Sequence, residues 1–264
     1  MLGLLRKGTL LGDELTELQF ACFAWLLRHT GGLEALSRRH IVFPTPAFFP
    51  GRPAPTAAFA ESIFQQTRQH AGMADWTCRL EAQEDDPNPL VAPALLVQNA
   101  PNSPAGTFRT NEQDVLITYH PNLLSDPMSL IATFAHELAH YRTAGFAEPP
   151  PGGWEVWEPV TDLTAVFLGF GVFLSNSRFS FSQHSDGQTM GWRWRQQGYL
   201  SEPELLHMHA IVVALLGAQP SETLAHLKPS LRGVFKRVWK DVNRAPEALA
   251  RLRAITATPE HSVA

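Results

Sequence analysis

Apolar residues recur at helical spacing in DELTELQFACFAWLLRH, at Leu15, Leu18, Cys22, Trp25 and Leu26, and the run stops before Gly31-Gly32. The pattern predicts an amphipathic helix from about 13 to 29. FPTPAFFPGRPAP follows, with five prolines in thirteen residues. Each proline removes a backbone donor and fixes φ, so this is a surface loop. Helical periodicity resumes from Thr56 to His70, with Gly72 as a stop. Three short alternating or β-branched runs come next: WTCRLEA (76–82), ALLVQNA (94–100) and DVLITYH (114–120). Turn-rich EDDPNP and APNSPAG separate them, the pattern of a small sheet.

Beyond His120 the text is mostly helical. Asp126 can cap a helix whose first residue is Pro127 and which runs through PMSLIATFAHELAHYRT to Gly145. GFAEPPPGGWEVW reads as a loop, with Trp154 and Trp157 packing it, and a strongly apolar helix spans about 159–175. In that helix Gly169 and Gly171 are expected to permit close packing. SNSRFSFSQHSDGQTMG reads as a long surface connection. Further helices are predicted in SEPELLHMHAIVVALLG, where Ser201 and Glu204 form a capping-box pattern, in PSLRGVFKRVWKDV and in PEALARLRAI. The expected fold is α+β in a single domain over 1–264: an N-terminal helical part to about 72, a three-stranded sheet packed on the 126–145 helix, and a C-terminal helical part over about 200–255.

Composition narrows the function. Hydrophobic residues at 44% and charged residues at 17% describe a chain that folds. A net charge of −4 lacks the basic excess of a nucleic-acid binder, so no nucleic-acid partner is expected. Two cysteines, Cys22 and Cys78, are far short of a disulfide framework and read as reduced core residues. The opening MLGLLRKGTLLGDELTE has no secretory apolar stretch, which places the chain in the cytoplasm. VTDLTAVFLGFGVFLS is shorter than the roughly 20 apolar residues of a membrane span, so no membrane is expected. GWRWRQQ mixes tryptophan with arginine, but without a wider basic patch it reads as ordinary surface.

The chemistry lies in HELAH. On a helix His136 and His140 stand one turn apart, roughly 6 Å along the axis, and can direct both imidazoles at one ion. Glu137 can reach a water held by that ion. Leu130, Ile131, Phe134 and Leu138 make the helix apolar, and a buried imidazole without a partner costs about 1 to 3 kcal/mol. A catalytic zinc takes three protein ligands, so a third is needed. Downstream, WEPVTD offers Glu158 and, four residues later, Asp162; one carboxylate could ligate while the other accepts the free N–H of a ligating histidine. Glu155 is a further candidate for the third ligand. Pro159 pushes Glu158 toward the entrance of its helix.

HELAH followed by EPVTD resembles the gluzincin metallopeptidases, the thermolysin-like superfamily, over about 60 residues of this chain. The resemblance implies a zincin-like fold and Zn2+ held by His136, His140 and Glu158. It also implies Glu137 as general base, Asp162 orienting a histidine, and a peptide or protein substrate. The strand before the metal helix resembles the edge strand on which that family pairs an extended peptide. The family also uses a downstream His or Tyr at the oxyanion. His207, His209, Tyr199 and His184 are the candidates here, the first two preferred because they lie on a predicted helix. The alternative is a catalytically inactive zincin-fold module that keeps a metal for structure or regulation.

Overall fold

The computed structural model describes residues 8–83, 106–110, 115–183 and 200–256. Helix α1 runs Asp13–His29, followed by a short α2, Gly32–Ser37, and by α3, Ala57–His70. Thr56 caps α3 by accepting a hydrogen bond from the Phe59 amide. Strands β1 (Arg79–Ala82), β2 (Gly106–Thr110) and β3 (Val115–Tyr119) form one sheet in the order β1-β3-β2. β3 is parallel to β1 and antiparallel to β2.

The structure is thus mainly helical with a small sheet. β2 begins at the last residue of the APNSPAG turn and runs through residues to which the sequence assigns no element, and the strand expected at 94–100 falls outside the described residues. β3 is also not an edge. It is the central strand, paired on both sides, so no extended peptide can add to it; among the described strands the edges belong to β1 and β2.

Helix α4, Pro127–Thr143, lies at the centre, packed against α3, β2 and β3 and against the helices that follow it. The Asp126 side chain accepts from the Ser129 amide and Pro127 opens the helix, as its sequence predicts. Alternate residues of β3, Val115, Ile117 and Tyr119, are buried. Tyr119 meets Phe134 edge to face at 5.8 Å, and Phe64 of α3 closes on the same ring at 5.1 Å.

After a 3₁₀ turn at Trp154–Val156 the chain forms α5 (Trp157–Ala165), a π-helical turn at Val166–Phe170 and α6 (Gly171–Gln183). Helix α6 therefore continues through residues that the sequence suggests as connection. Their polarity resembles that of a loop, yet their helical backbone carries on from a buried apolar run. Gly169 sits in the π turn with φ 109°; a Cβ there would lie 2.6 Å from the His40 carbonyl oxygen, and Val42 donates its amide to the Gly169 carbonyl at 3.0 Å. The bulge thus re-aims the helix to admit the 40–42 backbone. Gly171 makes room for a neighbouring imidazole, since a Cβ there would fall 2.4 Å from His209 Nδ1.

The helical stretch Trp154–Ser177, 24 residues at mean hydropathy 1.3, is by length and composition sufficient to cross a bilayer, longer than its sequence suggests. Its most apolar window is wholly buried inside the protein. Helices α7 (Glu202–Leu216), α8 (Pro220–His226), α9 (Pro229–Asn243) and α10 (Pro246–Arg253) complete the chain. The Ser201–Glu204 capping box forms at the start of α7. Cys22 and Cys78 are free thiols, and burial pushes Cys22 up to about 12.

Candidate metal centre

Two helices build the site. From Ser129 to Ala139, α4 is buried at every position except His136, and the next such opening is His140. The two imidazoles thus face outward through one gap, one turn apart, their ring centroids 4.8 Å apart. Across the gap stands the first turn of α5. Glu158 is its second residue and Pro159 its third, positions where proline is tolerated because first-turn amides have no helical acceptor. Glu158 Oε2 reaches to 3.5 Å from His136 Nε2 and 3.4 Å from His140 Nε2.

The far nitrogens are held as well. His136 Nδ1 lies 2.9 Å from Asp162 Oδ1, and an ionised carboxylate only accepts, so Nδ1 carries the proton and donates. His140 Nδ1 lies 3.3 Å from Thr161 Oγ1, whose own proton goes to the Trp157 carbonyl at 3.0 Å; the hydroxyl therefore accepts and His140 Nδ1 also donates. Both Nε2 atoms are left as lone pairs aimed at a carboxylate oxygen. Three acceptors in so small a space require a positive charge among them.

Burial pulls the His136 pKa down, but the hydrogen bonds to Asp162 and Glu158 outweigh it and hold the imidazole well above its ordinary value. Glu158 is held well below the usual carboxylate range: burial raises it, and its bonds to both histidines bring it down. A metal ion answers the same need as that proton. Nitrogen and oxygen ligands at about 2.05 Å from a tetrahedral ion stand about 3.3 Å from one another, and the observed spacings of 3.4 and 3.5 Å fit that edge. His136, His140 and Glu158 are the one group of its kind among the described residues, their ligand atoms all within 4.8 Å of one another. They could hold a metal ion, with Glu158 half exposed on the solvent side.

Glu137 is 5% exposed and no hydrogen bond reaches its carboxylate among the described residues. Burial pushes its pKa up, His136 and His140 pull it down, and Glu158 adds a further upward push. The structure thus brings together His136, Glu137, His140, Glu158 and Asp162. Glu155 lies exposed on the preceding 3₁₀ turn, apart from the cluster, with Trp154 and Trp157 in contact beside it.

His207 and His209 do not join. Both are buried in the core on α7: His207 Nδ1 donates to Gln19 Oε1 of α1 at 2.7 Å, and His209 Nε2 pairs with Thr223 Oγ1 of α8 at 3.0 Å. With 1% and 0% exposure both lie in the core, hydrogen-bonded to α1 and α8, and neither belongs to the His136–His140–Glu158 group. Helical position alone made them attractive; the face they occupy turns inward. Tyr199 and His184 lie outside the described residues.

Thr161 was missed by sequence reasoning. Its signal was present, a hydroxyl beside Asp162 inside EPVTD, but its partner becomes visible only when α5 is laid against α4. Compared with known proteins, the chain matches no family model, no curated protein and no solved structure.

Proposed function

We propose that the chain is a zinc-dependent hydrolase of peptide or amide bonds, similar in its machinery to the gluzincins. The observation that carries this reading is the convergence of His136 Nε2, His140 Nε2 and Glu158 Oε2, with a buried Glu137 on the same turn. His2Glu is a catalytic zinc ligand set, and His136, His140 and Glu158 would hold the ion. When bound, zinc supplies a Lewis acid that makes water acidic near neutral pH and polarises a carbonyl. Glu137 takes the proton of the attacking water and hands it to the departing amine, and its burial raises its basicity for that task. Asp162 and Thr161 keep the imidazoles in the tautomer that exposes Nε2.

Purified protein is expected to contain about one zinc per chain. The variant Glu137→Gln should keep the metal and lose cleavage of a peptide library. Protein that cannot be loaded with zinc, or Glu137→Gln with undiminished turnover, would refute the reading.

A further inference from the structure

The net charge of −4 conceals a segregation: residues 228–253 hold eight Lys and Arg against two carboxylates. Five of the eight fall four residues apart, at Lys228, Arg232, Lys236, Lys240 and Arg244, and all five are exposed. They lie along α9 and its N-cap, so within the helix each successive cation stands about 6 Å further along the axis and about 40° further round it, in a row that winds across the exposed side.

Folding gains nothing from that row. Like charges four apart on a helix destabilise it. The first turn of α9 carries no acidic residue, and Lys228 and Arg232 stand at the end where the helix dipole disfavours a cation. The one carboxylate of α9, Asp241, is buried, accepts from the Leu10 amide and faces Arg237 and Arg244. Lys236 and Lys240 make no ion pair among the described residues. The contact of Leu10 with Asp241 brings the start of α1, with exposed Asp13, Glu14 and Glu17, toward the C-terminal half of the helix. Among the described residues, the stretch without a paired carboxylate is therefore Lys228 to Lys240. Arg232 is already oriented, its Nε donating to the Leu227 carbonyl at 3.1 Å.

We infer that the outer face of α9 binds the phosphate backbone of double-stranded nucleic acid without reading its sequence. Charge complementarity selects a polyanion, and the length of the row, about 18 Å along the axis, selects an extended one. Leu231, Phe235, Val238 and Val242 are buried beneath the helix, which packs on α7, so α9 has no apolar face to offer a bilayer. What remains is a winding row of exposed cations that the chain's long, flexible Lys and Arg side chains can turn toward one phosphate backbone. The metal site plays no part in this.

The test is fluorescence anisotropy of the full chain with a labelled duplex of arbitrary sequence. Four phosphates neutralised at about 0.9 counterions each predict an affinity that falls about 150-fold between about 50 and about 200 mM salt. The double variant Lys236→Gln/Lys240→Gln, at exposed positions, should bind at least about tenfold more weakly at low salt and lower the log–log salt slope by about 2. Arg52→Gln, an exposed cation elsewhere, should change neither. No duplex binding at low salt, an equal loss in Arg52→Gln, or binding confined to phosphatidylserine vesicles would overturn the inference.

Discussion

The two core histidines of α7 should make the protein lose stability in mild acid. Burial lowers His207 and His209 to about 4, against an ordinary value of 6.5. Below 6.5 the unfolded chain takes up protons that the folded chain refuses, so stability is intact above that pH and declines as pH falls toward 4. From about pH 7 to about pH 5, binding those protons in the unfolded state alone costs about 2 kcal/mol per histidine, or about 4 kcal/mol for both. That is a large fraction of the 5 to 15 kcal/mol typical of a domain. Two atoms sharpen the expectation: among the described residues His207 Nε2 and His209 Nδ1 have no hydrogen-bond partner, so a proton added there finds no acceptor among them.

His136 runs the other way, its raised pKa favouring the folded state as pH falls, so the comparison must be between variants rather than within one profile. Urea denaturation of the wild type and of His207→Asn/His209→Gln at several pH values between about 5 and about 7 isolates the effect. The amides preserve the bonds to Gln19 and Thr223 but cannot be protonated. The variant is expected to be less stable at neutral pH and to show a pH dependence flatter by about 4 kcal/mol. Equal slopes in the two proteins would refute the claim that these imidazoles fold neutral.

Removing the acceptors behind the proposed ligands should weaken metal binding without touching a ligand: Asp162→Ala is expected to lower zinc affinity by about 10- to 100-fold in a competitive chelator titration. Thr161→Val should fall about tenfold in the same assay through His140, and Thr161→Ser should restore it; a Thr161→Val protein of unchanged affinity would leave the hydroxyl without a role. Gly169→Ala should cost about 3 kcal/mol in urea denaturation, because its φ of 109° and the His40 carbonyl 2.6 Å away both oppose a Cβ; an equally stable variant would contradict the close crossing. Zinc at about 100 times its dissociation constant should stabilise the folded chain by about 2.7 kcal/mol, read as a rise in Tm that Glu158→Ala abolishes.

The sequence by itself determined the local events. Asp126-Pro127 starts α4, Ser201 and Glu204 box the start of α7, and the four-residue spacing of His136 and His140 puts both on one helix face. Each depends on neighbours within one turn, so the chain encodes it without reference to the rest of the fold. Even Glu158 was legible, since Pro159 confines it to the first turn of α5, where it faces the histidines. Tertiary structure decided what depends on the approach of distant segments. β3 is central because β1 and β2 both pair with it, a choice no strand pattern specifies. Helix α5 meets α4 in the register that gives His140 its acceptor in Thr161, and the Gly169 bulge exists to admit a loop more than a hundred residues earlier in the chain. His207 and His209 show the limit most clearly: a helix buried all round has no periodicity to mark which face is functional, and only the packing of Gln19 and Thr223 against it reveals that both imidazoles belong to the core.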